Sequence, residues 1–239
     1  MFLQSIDYNI HMDRDISTIN NFLDTRENLD WYIFQCGLPW IKLDLKVPYK
    51  EMYREAYALK SKFVEYRESN SKGWKSLCIH GLSSDQIYDY TSYPEYKNID
   101  QNLVPYKWTE VSEACPVTTS FLKNSFFNAK FFRVRFMLLE PGGYILPHTD
   151  MPKKILAPIN IALSNPQGCE FKMKGYGIVP FKPGNALILD TSNEHVVYNN
   201  SSEPRIHLIL HVNYPVLSSR GSVKWANLLY QSFQKTNQP

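Results

Sequence analysis

Several features that would narrow the function quickly are scarce or missing in this 239-residue chain. There are four cysteines, Cys36, Cys78, Cys115 and Cys169, and no CxxC pair. That leaves no zinc-binding cysteine spacing and makes free thiols in a reducing, cytoplasmic setting the expectation. No apolar segment of the secretion-signal type opens the chain. No run approaches 18 apolar residues, which excludes a transmembrane helix. Lys and Arg number 26 against 23 Asp and Glu. That surplus is too small and too scattered for a nucleic-acid footprint. Repeats, low-complexity tracts and linkers are also absent, so one domain over 1–239 is expected. What is present suits a folded core: 44% hydrophobic, 21% charged, and 14% aromatic residues that favour a β-rich fold. The partner to expect is a small molecule, with neither nucleic acid nor membrane; the oligomeric state stays open.

The chain divides by pattern. Ile16, Ile19, Phe22 and Leu23 fall at helical spacing. Pro48 opens a second helical stripe over 49–68, carried by Met52, Tyr53, Ala56, Leu59, Phe63 and Tyr66. Residues 69–120 lose periodicity and collect Ser, Gly, Pro, Tyr and Trp; a region of that length is either a functional lid or decorated surface with a few short strands. Residues 1–128 therefore read as a helical and irregular buttress that also shapes the substrate region. From 129 to 215 short strand-like runs alternate with turn residues: 131–139, 144–149, 155–163, 169–173, 176–179, 186–190, 195–199 and 205–212. Pro141-Gly142-Gly143, Asn165-Pro166-Gln167-Gly168, Pro183-Gly184-Asn185 and Asn199-Asn200-Ser201-Ser202 separate some of them. The pattern predicts a mainly β jelly roll, cupin-like, with flanking helices. A last helix is expected within 216–239, where Trp225, Leu228, Leu229 and Phe233 recur.

Chemistry concentrates in Pro147-His148-Thr149-Asp150, at a strand end. Residues two apart on an extended chain share a side, so His148 and Asp150 converge. With His195, which opens a later strand, they make a two-imidazole, one-carboxylate set suited to Fe(II). Such a set covers one face of an octahedral ion and leaves three positions open. Arg205 starts the last predicted strand. A guanidinium in an apolar barrel strand is costly unless it meets an anion, which it grips through two parallel hydrogen bonds. That anion is either a ligand carboxylate or a structural Asp or Glu.

These residues resemble a known family. Phe136 through Asp150, Gly168-Cys169-Glu170-Phe171, Pro183 through Asp190, Glu194-His195 and Pro204-Arg205 run in the order seen in the aspartyl/asparaginyl β-hydroxylase branch of the Fe(II)/2-oxoglutarate-dependent dioxygenases. The resemblance covers about 131–215. It implies a double-stranded β-helix, Fe(II) on His148, Asp150 and His195, 2-oxoglutarate and O2 as cosubstrates, and Arg205 on the distal carboxylate of 2-oxoglutarate. Mammalian protein-hydroxylating members place Gly where this chain has Asp150, so it is more similar to bacterial members acting on small amino acids. A Ser and an Arg that help hold the cosubstrate in the mammalian enzyme fall here on Met137 and about Pro158. Asn160 is then the polar candidate for the proximal carboxylate, the alternative being a strand-end amide bonded to backbone.

Arg135 shares strand parity with Met137 and is expected to face the cavity as a counter-ion for a substrate carboxylate; a surface salt bridge is the alternative. Tyr144 has the parity of His148 and Asp150, which makes it a pocket residue or barrel core. His207 and His211 alternate with Arg205, and Trp74, His80 and Trp108 are candidates for a lid. The activity expected is hydroxylation of an unactivated C–H bond in a small, carboxylate-bearing substrate, an amino acid for choice. The alternatives are hydroxylation of Asp, Asn or another residue within a peptide or protein, and a non-oxidative metal-dependent cupin enzyme, which has no use for Arg205.

Overall fold

The computed structural model describes residues 39–43, 45–126, 129–150 and 158–213. The predicted helices near 15–23 and within 216–239, together with Cys36 and Lys153-Lys154, lie outside the described residues.

The fold is a double-stranded β-helix built around one long strand. In chain order its strands are β1 (Trp40–Leu43), β2 (Val64–Glu65), β3 (Ser71–Gly81), β4 (Lys107–Trp108), β5 (Lys130–His148), β6 (Ile159–Ala162), β7 (Cys169–Met173), β8 (Gly177–Ile178), β9 (Ala186–Leu189), β10 (His195–Asn199) and β11 (Arg205–Asn213). Hydrogen bonds link them in the order β1-β9-β6-β11-β5-β10-β7-β8, with β3 on the other edge of β5. The first half of β5 pairs with β11, Leu139 opposite Arg205, and the second half with β10, His148 opposite His195. β5 thus runs through both layers of the jelly roll.

Strand alternation sorts the side chains into two cores. Val134, Phe136 and Leu138 of β5, with Ile206, Leu208 and Leu210 of β11, face outward against helices α1 (Tyr49–Ala58) and α3 (Pro116–Ser125) through Met52, Ala56, Phe121 and Leu122. Between them lies the short helix α2 (Val111–Ala114). Glu55 of α1 accepts the Val117 and Thr118 backbone N–H groups at 2.7 and 2.9 Å. It thereby satisfies the first turn of α3 and locks the two helices together. The inner core holds Met137, Leu139, Ile145, Phe171, Leu187, Leu189 and Val197 between the layers. Cys78, Cys115 and Cys169 are free, buried thiols, as expected.

The strand pattern over 129–213 agrees with the reading of the sequence, with one change. Pro141-Gly142-Gly143 is not a turn between two strands but a bend inside β5. A Cβ on Gly143 would sit 2.8 Å from the carbonyl oxygens of both Glu140 and Lys72, so β3 approaches closely only because that position is glycine. Buried Asn199 holds the corner: its Nδ2 donates to the carbonyls of Leu139, Glu140 and Glu203 at 2.8–3.1 Å.

Two other expectations are corrected. The helix predicted over 49–68 ends at Ala58, because the Lys60-Ser61-Lys62 turn carries no apolar contact. Phe63 and Tyr66 reach the two cores from separate turns instead. The 69–120 region is not chiefly irregular: it contains β3, eleven residues long and paired along β5. The sheet therefore extends well ahead of residue 129.

Candidate metal centre and arginine-lined cavity

His148, Asp150 and His195 come together at one end of the inner face. Their ligand atoms lie within 4.8 Å of one another. Nε2 of His148 is 3.8 Å from Asp150 Oδ1, and Nε2 of His195 is 3.9 Å from Oδ2. The two rings are tilted 53° to each other with centroids 4.3 Å apart. Nδ1 of His148 bonds the Leu146 carbonyl at 2.8 Å and Nδ1 of His195 the Asn193 carbonyl at 2.9 Å. A carbonyl only accepts, so each Nδ1 carries the proton and each Nε2 presents a lone pair. Phe171 stacks on His195 at 5.1 Å, and burial holds this imidazole below its ordinary pKa, in the neutral form a metal needs.

Asp150 is positioned through its backbone. Its N–H donates to Thr191 O at 2.9 Å, in a turn fixed by Asp190, whose Oδ1 accepts from Ser192 N and Oγ. Arg67, held at φ +50°, donates to Asp150 Oδ1 at 3.3 Å. Two imidazoles and one carboxylate converging from one side fit Fe(II), and match its facial three-ligand preference.

The same cavity, about 920 Å³, runs from this centre past Arg205, Asn160 and Met137 to Arg135 and Arg133. Arg205 is 4% exposed; its Nη2 lies 3.0 Å from His207 Nδ1 and its Nε has no partner. His207 Nδ1 is also 2.7 Å from Asn160 Oδ1, so this one nitrogen either accepts from Arg205 or donates to Asn160. Burial presses Arg205 down to about 10, which still leaves it charged at neutral pH. Among the described residues no ion pair joins an acid to Arg205, Arg135 or Arg133. The structural Arg–carboxylate pair considered for Arg205 is therefore not present among them.

Arg135 faces inward, 5% exposed, with its guanidinium 4.8 Å from the centre of the Tyr66 ring. Its Nε and Nη1 are unpartnered. Tyr144 does not line the cavity. It stands opposite Tyr198 on the outer face, and Ile145 points inward in its place. The cause is a bulge: His148 to Ile145 spans three residues against two from His195 to Val197. The extra residue, beside Pro147, inverts the parity counted back from His148. Trp74 lines the cavity, whereas His80 and Trp108 pack edge to face at 4.9 Å on the outer side. His207 and His211 both face inward, as their alternation with Arg205 suggested.

Three contributors were not singled out from the sequence. Tyr66 stands in the helical stripe expected over 49–68, and Arg67 falls within the same span. Ser76, opposite Met137 on β3, carries a buried hydroxyl without a partner. Its place in a Ser-Lys-Gly-Trp-Lys-Ser stretch gave no strand signal.

Comparison with known families matches residues 46–215 to the family described as aspartyl/asparaginyl β-hydroxylase. No curated protein matches the sequence. Similar solved structures include the collagen prolyl hydroxylase of Paramecium bursaria Chlorella virus-1, solved with 2-oxoglutarate. It is 17% identical, with 74% of this chain and 97% of that chain covered and a TM-score of 0.43. A Pseudomonas putida prolyl-4-hydroxylase is 13% identical, covering 84% of this chain and 100% of its own, at 0.44. A Trichoplax adhaerens prolyl hydroxylase, solved with a hypoxia-inducible-factor peptide fragment, is 12% identical, covering 83% and 90%, at 0.43.

Proposed function

The chain belongs to the aspartyl/asparaginyl β-hydroxylase family of Fe(II)- and 2-oxoglutarate-dependent oxygenases, and from that membership we propose that it hydroxylates an unactivated C–H bond of a small, carboxylate-bearing acceptor. One observation carries the reading. The three-ligand cluster, the acid-free Arg205 and the acid-free Arg135 open onto a single cavity. In this reading His148, Asp150 and His195 hold the iron, Arg205 takes the distal carboxylate of 2-oxoglutarate, and Asn160 orients near it. Bound iron with 2-oxoglutarate and O2 supplies the oxidising power, releasing succinate and carbon dioxide as a C–H bond becomes C–OH.

The protein's part is positioning and exclusion. The fork of Arg205 fixes the cosubstrate by two parallel hydrogen bonds, with Phe181 beneath it at 5.7 Å. His207 places Nδ1 between the Arg205 guanidinium and the Asn160 amide and packs both against the cavity wall. Trp74, Met137, Ile145, Phe171 and Leu189 make an apolar wall that keeps water from the reacting carbon. Arg135 draws in the acceptor's acid group, because a desolvated guanidinium gains most from an anion.

The test is succinate formation from 2-oxoglutarate with Fe(II) and ascorbate, across free amino acids, the same compounds amidated at the carboxyl group, and peptides. Turnover with the acids that is lost on amidation and in Arg135→Ala is the expected result. Equal turnover of acid and amide, or activity only on peptide or folded protein, overturns the small-acid reading.

A further inference from the structure

We infer that the end of the cavity away from Arg205 is a second anion site, built from Arg133 and Arg135 with His211 and Tyr66, and that it takes a dianionic group of the acceptor, a phosphate monoester or a paired dicarboxylate. The inference rests on the oxygenase reading only for the word acceptor; the site itself follows from charge and geometry.

The first argument is distance. Arg205 stands opposite Leu139, and Arg135 stands opposite Ile209, four residues further along β11. At the rise of an antiparallel strand that separation is roughly 13 Å. Arg133, opposite His211, is one repeat further still. A single 2-oxoglutarate held on Arg205 is too short to satisfy this far pair. The two guanidiniums need a different ligand.

The second argument is charge. Arg133 and Arg135 are two residues apart on one face of β5, so their charges are neighbours. Arg133 donates Nη1 to the Tyr88 carbonyl at 2.8 Å, which is a neutral partner. Burial and the adjacent Arg135 press it down to about 10, short of discharging it. Arg135 has the Tyr66 ring against one face and two unpartnered nitrogens. The nearby acids are committed elsewhere: Asp150 to Arg67, Glu65 to Lys75, and Asp89 Oδ1 to Thr91. A monocarboxylate leaves one of the two positive charges uncompensated; a dianion cancels both.

The third argument is the surrounding polar groups. His211 lines the cavity opposite Arg133, and burial with the two guanidiniums keeps it neutral. A neutral imidazole still offers one N–H to an oxyanion, adding a donor without further positive charge. Tyr66 supplies a phenol beside Arg135. Two guanidinium groups, an imidazole and a phenol together offer more donors than the roughly four lone-pair sites of a single carboxylate, and a phosphate or a dicarboxylate uses them more fully.

The experiment is calorimetric titration of the full chain, loaded with Mn(II) and saturated with 2-oxoglutarate. The probes are inorganic phosphate, O-phospho-L-serine and L-aspartate, with L-serine and L-asparagine as monocarboxylate controls. The expected result is that at least one dianionic probe binds about tenfold or more tighter than its control, and that Arg133→Gln and Arg135→Gln each weaken it by about tenfold. In both variants the affinity for 2-oxoglutarate stays at the wild-type value. Preference for O-phospho-L-serine identifies a phosphate site, and preference for L-aspartate a dicarboxylate site. Equal binding of dianions and controls, or wild-type dianion affinity in both variants, overturns the proposal. Should Arg135→Gln fail to fold on thermal melting, Arg133→Gln at the half-buried position decides. Repeating the titration without metal or 2-oxoglutarate separates the two readings. Dianion binding there with no 2-oxoglutarate binding elsewhere sinks the oxygenase reading and leaves this site standing.

Discussion

His195 stands directly opposite His148 across the β5–β10 ladder, and each ring bonds the carbonyl two residues before it through Nδ1. The pairing of two strands thus fixes both the separation of the rings and the nitrogen each one offers. Replacing His195 with Gln removes a ligand while keeping a polar side chain. Divalent-metal affinity should then fall by more than the roughly 10–100-fold lost when only an outer hydrogen-bond partner is removed. Metal content after dialysis, measured alongside the far-ultraviolet spectrum, checks this. Full occupancy in the variant would mean that His195 is not a ligand.

Arg205→Ala should cost about 2–5 kcal/mol of 2-oxoglutarate binding, the range for truncating one member of a buried charged pair. Arg205→Lys should recover only part, since an ammonium lacks the forked geometry. Calorimetry on Mn(II)-loaded protein reads both. Unchanged affinity in the alanine variant would remove Arg205 from the cosubstrate site.

His80 is buried against Trp108 and Phe131, and desolvation lowers it to about 4. A folded-state pKa below the unfolded value means the unfolded chain binds the proton first. The stability His80 contributes is therefore complete above about pH 6.5 and is lost as pH falls from there to about 4, on the order of 3 kcal/mol. Urea unfolding of wild type and His80→Leu at pH 7 and pH 4 tests the sign. The variant should show the smaller loss on acidification; an equal loss would mean that His80 is not responsible.

Asn199 satisfies three carbonyls at the corner between the layers with one amide. Asn199→Asp keeps the size but removes the donors, leaving carbonyls unpaired at about 1–3 kcal/mol for a buried group. The melting temperature should drop in Asn199→Asp as it does in Asn199→Ala. A melting temperature equal to wild type in the aspartate variant would show that solvent replaces the amide.

The residues that announced the site in the sequence did so because strand alternation is a strict rule. His148 with Asp150, and Arg205 with His207 and His211, share a side by counting, and the structure keeps them together. Counting failed at Tyr144, because the bulge beside Pro147 adds one residue that no local pattern reveals. It failed again at β3. Ser71, Lys72, Ser76 and His80 sit where apolar residues mark most strands, so the alternation that signals a strand is broken along β3. Tyr66 was assigned to the wrong element for a different reason. Its spacing from Phe63 suits a helix, but the chain is already extended there, and each ring finds a core by its own route.

Arg133, Arg135 and His148 all belong to β5, a single strand continuous through its Gly143 bend. An extended backbone scarcely stretches, so the spacing between the two arginines and His148 is set covalently rather than by loop packing. On the proposed function the strand works as a ruler: the length of an acceptor between its charged head and the carbon brought to the metal decides which carbon is presented. Regiochemistry on this scaffold is then written into hydrogen-bond register. Adding or deleting one residue in β5 between Arg135 and His148 would turn one of them away from the cavity, so the spacing can change only in steps of two residues.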